Sequence, residues 1–63
     1  MSLTDRQREV LRELAAGLSP SEISYSLSIS RTALQHHIQT IRQRYGVFSY
    51  REVVEIARSR GDL

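Results

Sequence analysis

The chain has 63 residues, nine basic against seven acidic side chains and a formal net charge of +2. A chain of that size buries only about 60% of its unfolded surface, which leaves room for one small core and excludes a second domain. It has no cysteine, which excludes disulfides and thiolate metal sites and permits a reducing, intracellular setting.

The first predicted helix, at about 4–16, opens with a capping box, Thr4-Asp5-Arg6-Gln7, in which the Thr hydroxyl takes the amide three residues on and Gln reaches back. Val10, Leu11, Leu14 and Leu18 recur at helical spacing, and Gly17 stands where a left-handed residue would end the helix. A second box, Ser19-Pro20-Ser21-Glu22, starts a helix at about 20–27 with Ile23 and Leu27 as its core candidates. Pro20 falls at its first position, where the missing N–H costs nothing. Ser28-Ile29-Ser30 then leads into a third helix at about 31–45, with Ile29 placed to plug the corner of a helix-turn-helix. Leu34, Ile38, Ile41 and Tyr45 form the core stripe of this third helix, and Gly46 follows it. A third box, Ser49-Tyr50-Arg51-Glu52, opens a fourth helix at about 49–60, with Tyr50, Val53, Val54 and Ala57 facing inward and Gly61 at its end. Nothing between these segments is long or β-branched enough for a strand, and there is no repeat or linker. The fold class is therefore all-α: one four-helix domain over 1–63, with a helix-turn-helix at about 20–39.

No apolar run nears the roughly 20 residues of a membrane span, and Met1-Ser2-Leu3-Thr4 lacks the basic start and apolar middle of a signal peptide. The expected setting is cytoplasmic, with no membrane partner. The charge is unevenly spread. Residues 1–30 carry three arginines against four acids, whereas residues 31–63 carry six against three, and no acid occurs between Glu22 and Glu52.

That positive zone contains the third helix. With about 100° per residue and Leu34 at zero, Ile38, Ile41 and Tyr45 lie within roughly 40° of it. The opposite side carries Thr32, Gln35, His36, Gln39, Thr40 and Gln43, flanked by Arg31 and Arg42 on one edge and Arg44 on the other. A solvated helix face usually mixes acids and bases, as Asp5, Arg8, Glu9, Arg12 and Glu13 do on the first helix. One alternative is a plain polar helix with Gln and Thr as fillers. The other is a surface for the DNA major groove: Gln pairs with adenine, His donates to guanine, arginines hold phosphates, and a carboxylate would be repelled. The short turn favours the second, because the helix after such a turn is the recognition helix of a helix-turn-helix.

Leu3-Thr4, Arg8-Glu9-Val10-Leu11, Gly17-Leu18-Ser19, Glu22-Ile23, Leu27-Ser28-Ile29-Ser30, His37-Ile38 and Tyr45-Gly46-Val47, taken in order, resemble the LuxR-type (GerE/NarL/FixJ) helix-turn-helix domain. The resemblance covers nearly the whole chain. It implies four helices, binding of double-stranded DNA through the third, and a homodimer through the fourth, in a transcription regulator acting at the nucleoid. By position it places base contacts on Gln35, His36 and Gln39, to which the helical wheel adds Thr32. Phosphate contacts are expected from Ser21, Ser30, Arg31, Arg42 and Arg44. Tyr25 either joins them or packs on the core edge. Members of the family usually have Lys at the position of Gln35, Lys or Arg at Ser21 and Ala at Ser24, so this chain should prefer different bases and attract phosphates less strongly.

On the fourth helix Ile56 lies outside the core stripe and widens the apolar arc to roughly 160°. With the resemblance, this points to a two-fold contact made by Val53, Ile56, Ala57 and Arg60. His36 and His37 point about 100° apart on a helix and cannot share a tetrahedral ion. No catalytic triad, phosphate loop or paired carboxylates in a plausible pocket is present, so no enzyme, cofactor, metal or small-molecule ligand is expected. The competing reading is a protein-interaction module on the same scaffold, either contacting RNA polymerase as sigma region 4 does or acting as a dimerising antagonist without DNA affinity. Even for a regulator, RNA polymerase is a second candidate partner.

Overall fold

Thr4 and Ser19 start the first two helices as their spacing predicts. Thr4 Oγ1 accepts the Gln7 amide at 3.1 Å while Gln7 Oε1 takes the Thr4 amide at 3.0 Å. Ser19 and Glu22 make the same exchange at 3.3 and 2.8 Å. These reciprocal bonds satisfy amides that the first turn of a helix leaves without partners. The Ser19 amide and hydroxyl also hold the Glu22 carboxyl below the usual carboxylate range. Ser49 departs from the expectation. Its φ of −113, against −70 at Thr4 and −74 at Ser19, turns its hydroxyl onto the Arg51 amide at 3.2 Å, and it forms no box with Glu52.

The computed structural model describes residues 3–63, so Met1 and Ser2 of the chain's start lie outside the described residues. The helices are α1 (Asp5–Ala15), α2 (Pro20–Leu27), α3 (Arg31–Tyr45) and α4 (Tyr50–Arg60). All four end in one motif, in which a left-handed residue and its successor donate back into the last turn. Gly17, Gly46 and Gly61 fill that position as expected, and Ser28 fills it at the end of α2 with φ 54. Ser28 is the non-glycine exception among the described residues. Its amide and that of Ile29 donate to Tyr25 and Ser24, which folds the helix-turn-helix corner tightly.

Val10, Leu11, Leu14, Ile23, Leu34, Ile38, Ile41, Val53 and Ala57 form a single buried cluster. Leu18, Leu27, Ile29, Tyr45, Tyr50 and Val54 close its edges, joined by Leu3 and Val47. Each fully buried Leu or Ile contributes about 1.5–3 kcal/mol, and six of the cluster's large side chains are buried essentially completely. α1 and α3 each pack on the other three helices, whereas α2 and α4 do not meet. One face of α3 is thereby enclosed on three sides and the other is left outward.

Side chains outside the cluster tie its ends together. Arg58 Nη2 on α4 donates at 2.8 Å to the carbonyl of Ala15, the last residue of α1, where a helix leaves carbonyls unpaired and favours a cation. Ser26 donates to Glu13 at 2.6 Å, joining α2 to α1. Among the described residues no helix is long and apolar enough to cross a membrane, and no group of three or more His, Cys, Asp and Glu could hold a metal ion.

Candidate nucleic-acid interface

The outward face of α3 carries the four residues predicted to read bases. Thr32, Gln35, His36 and Gln39 are all exposed, while Leu34, Ile38 and Ile41 of the same helix are buried. Residues three and four apart lie one above the other on a helix, so Thr32, Gln35, His36 and Gln39 make a continuous strip about two turns long. Their side chains take no part in hydrogen bonds among the described residues. Thr40 beside them is engaged, donating from Oγ1 to the His36 carbonyl at 3.0 Å. α3 has no acidic residue in its first turn or anywhere along it. The contrast is α1, where Arg6 pairs with Glu9 at 3.8 Å and Arg8 with Asp5 at 4.0 Å in exposed contacts of little energetic weight.

The residues predicted to hold phosphates separate into three groups. Ser21 and Arg31 come together: Arg31 Nη1 donates to Ser21 Oγ at 2.7 Å, linking the first turn of α2 to the first turn of α3. Tyr25 lies one turn beyond Ser21 on α2 and is 90% exposed, so of its two readings the core-edge packing is ruled out. Ser30 is adjacent, but its Oγ caps α3 by accepting the Ala33 amide at 3.0 Å. Arg44 stands about 20 Å along α3 from Arg31 at 1.5 Å per residue. It lines a groove with Leu3, Arg8, Tyr45, Arg60 and Asp62, away from Ser21.

Arg42, also expected to hold a phosphate, forms the third group and is engaged within the chain. It is half-buried, its Nη1 donates to the Phe48 carbonyl at 2.6 Å, and its Nε is enclosed without a partner. The chain turns sharply at Gly46 after α3, carrying the Phe48 carbonyl back over the Arg42 side chain. The guanidinium therefore secures the turn between α3 and α4.

Two of the four residues predicted for a dimer contact are also reassigned. Val53 and Ala57 are fully buried within the chain's own core and have no surface to give a second copy. The stripe they share on α4 turns into the bundle. Ile56 is half-buried and lies outside the set that packs on the core. Arg60 is exposed, with its guanidinium carbon 5.8 Å from the centroid of the Tyr45 ring. The Tyr45 hydroxyl donates to Asp62 Oδ2 at 2.8 Å. Partial burial, helped by that carboxylate, pushes the hydroxyl up to about 12.

One prominent surface residue carries no signal in the sequence. Phe48 is 94% exposed and lines a groove with Pro20, Gln35, Ile38, Arg42 and Tyr50, beside the polar strip of α3. A lone aromatic in a short loop gives no periodicity by which its facing could be judged.

The four-helix fold agrees with the comparisons to known proteins. Residues 1–57 match the GerE family, described as bacterial regulatory proteins of the luxR family. The chain is 42% identical over 48 residues to the nitrate/nitrite response regulator protein homolog of Haemophilus influenzae. That stretch is 76% of this chain and 23% of the relative, so the chain spans under a quarter of that protein. A match over all but the last turn of α4 and the residues after it shows that the chain belongs to the luxR family of bacterial regulatory proteins.

Proposed function

We propose that this domain reads double-stranded DNA with α3 in the major groove, as the output part of a longer transcription regulator, and that it does so as a two-fold dimer. DNA-binding transcription regulation follows from membership of the family. The observation that carries the finer reading is the exposed, unengaged and carboxylate-free strip of Thr32, Gln35, His36 and Gln39. Gln35 and Gln39 match the donor and acceptor edge of adenine, His36 can donate to guanine, and Thr32 can serve either base. Arg31 and Ser21 stand together at the entrance of the helix-turn-helix, where the first helix crosses the phosphate backbone, with the exposed Tyr25 one turn further along α2. Arg44 supplies a separate cation towards the other end of α3.

The relative is a response regulator homolog of which this chain matches 23%, which supports a longer protein whose other part receives the signal. For the dimer, the half-buried Ile56 and the exposed Arg60 are the residues of α4 left to meet a second copy. A dimer of that kind sets its half-sites about 10 bp apart or somewhat closer. Its place of work is the nucleoid.

Selection of bound duplexes from a random library by the 63-residue domain tests the reading. A symmetric enriched site that outcompetes scrambled duplex supports a dimer reading sequence. No enrichment at low salt by folded protein would refute it and turn the search to a protein partner.

A further inference from the structure

Phe48 sits where an apolar ring on a solvated surface needs an explanation. It is 94% exposed, yet its backbone is fixed, since Arg42 Nη1 holds its carbonyl at 2.6 Å. The groove it lines runs between three elements: Pro20 at the start of α2, Gln35 on the reading strip of α3, and Ser49 and Tyr50 at the start of α4. In a helix-turn-helix the first helix crosses the phosphate backbone while the second enters the groove. A strand passing from the Ser21 end of α2 along the Gln35 edge of α3 therefore runs over this surface. The bases of that strand are stacked inside the duplex, so the part that meets the ring is the apolar C–H face of a deoxyribose.

We propose that Phe48 is a DNA contact that carries no charge: its ring packs on a deoxyribose of the strand bordering the groove that α3 enters. The inference rests on the DNA reading above and adds to it a contact of a different chemical kind. Cationic contacts release counterions, each neutralised phosphate adding about −0.9 to the slope of log K against log salt. An apolar contact adds nothing to that slope. It tightens binding equally at every salt concentration and for every sequence, because each nucleotide presents the same sugar.

The test is a salt titration of wild type, Phe48→Ala and Phe48→Lys on the selected duplex and on a scrambled one. The ring is exposed and Arg42 holds only the backbone carbonyl, so Phe48→Ala should melt as wild type does, checked by circular dichroism. The expected loss is about tenfold on both duplexes with parallel salt lines, the size that follows from covering roughly half a Phe side chain. Phe48→Lys should steepen the line by about 0.9, since it places a cation where a phosphate passes. Wild-type affinity in Phe48→Ala would overturn the proposal and leave the ring to a protein partner. A Phe48→Ala line flattened by about 0.9 would overturn it as well, by showing that a cation had been displaced. If wild type bound no duplex at all, the DNA reading itself would fall, and this contact with it.

Discussion

Replacing Arg42 by Ala separates two roles that the sequence alone does not distinguish. A phosphate clamp would lose DNA affinity and keep its stability, whereas a residue that secures the α3–α4 turn would do the reverse. The Nη1 bond to the Phe48 carbonyl is short, at 2.6 Å, and charge-assisted. Bonds to charged groups contribute about 1.5–3 kcal/mol, and this one belongs at or below the lower end because it lies at the exposed surface. The enclosed Nε without a partner reduces the loss further, since deleting it removes a desolvated donor. A net cost of about 1 kcal/mol is left, which in a domain of roughly 60–100 residues lowers the melting temperature by about 4–8 °C. Thermal melts followed by circular dichroism read the first quantity, and the salt slope of DNA binding reads the second. Arg42→Ala should melt several degrees early with a nearly unchanged slope. Arg44→Ala serves as the comparison, with an unchanged melt and a slope reduced by about 0.9. An Arg42→Ala protein of wild-type stability whose slope falls by about 0.9 would refute the assignment to the turn.

Three further outcomes follow from the packing. Leu34 is fully buried at the centre of α3, and Leu34→Ala should cost about 2–5 kcal/mol. That is comparable with the whole stability of a chain this short, so urea titration should show a largely unfolded protein. Tyr45 has its hydroxyl pushed up to about 12 in the folded chain, above the ordinary 10.0. The folded state then holds this proton more tightly, so stability present below pH 10 should fall as pH rises towards 12, and Tyr45→Phe should flatten the profile over that window. Ile56→Glu should convert dimer to monomer in sedimentation while the chain stays folded by circular dichroism, and an unchanged sedimenting mass would remove α4 from the interface.

The capping chemistry made the helices legible. Thr4, Ser19 and Pro20 announce two starts, and Gly17, Gly46 and Gly61 announce three ends, each within a residue or two of the observed boundary. The end of α2 was legible only through the turn, because Ser28 occupies a left-handed position that its residue type does not advertise. Ser49 misled in a different way. Its spacing to Glu52 satisfies the pattern of a box, but the backbone angle that decides which amide the hydroxyl meets is set by the turn before it.

Which way side chains face was legible where helical periodicity decides it. The strip of Thr32, Gln35, His36 and Gln39 lies opposite Leu34, Ile38 and Ile41 by angle alone, and it is exposed as that angle requires. Contacts between elements were not legible. Arg42 and Arg44 flank the same helix with the same charge, yet one is captured by the Phe48 carbonyl and the other is not, which depends on the path of the turn after Gly46. Val53 and Ala57 belong to both the core stripe and the wider apolar arc of α4, and only the packed bundle shows that the core takes them completely. The Arg58 contact with the end of α1 joins residues 43 positions apart, beyond any local pattern.

The central claim is that the α3 strip reads bases, and the most direct measurement compares the sites selected from one random duplex library by wild type and by Gln39→Ala. The account expects both proteins to enrich a symmetric site. In the Gln39→Ala site, preference should be relaxed at one position of each half-site, at a cost of about 1–3 kcal/mol for the favoured base, and the other positions should be kept. An identical motif from both proteins, with affinity unchanged or lowered equally on every sequence, would contradict it.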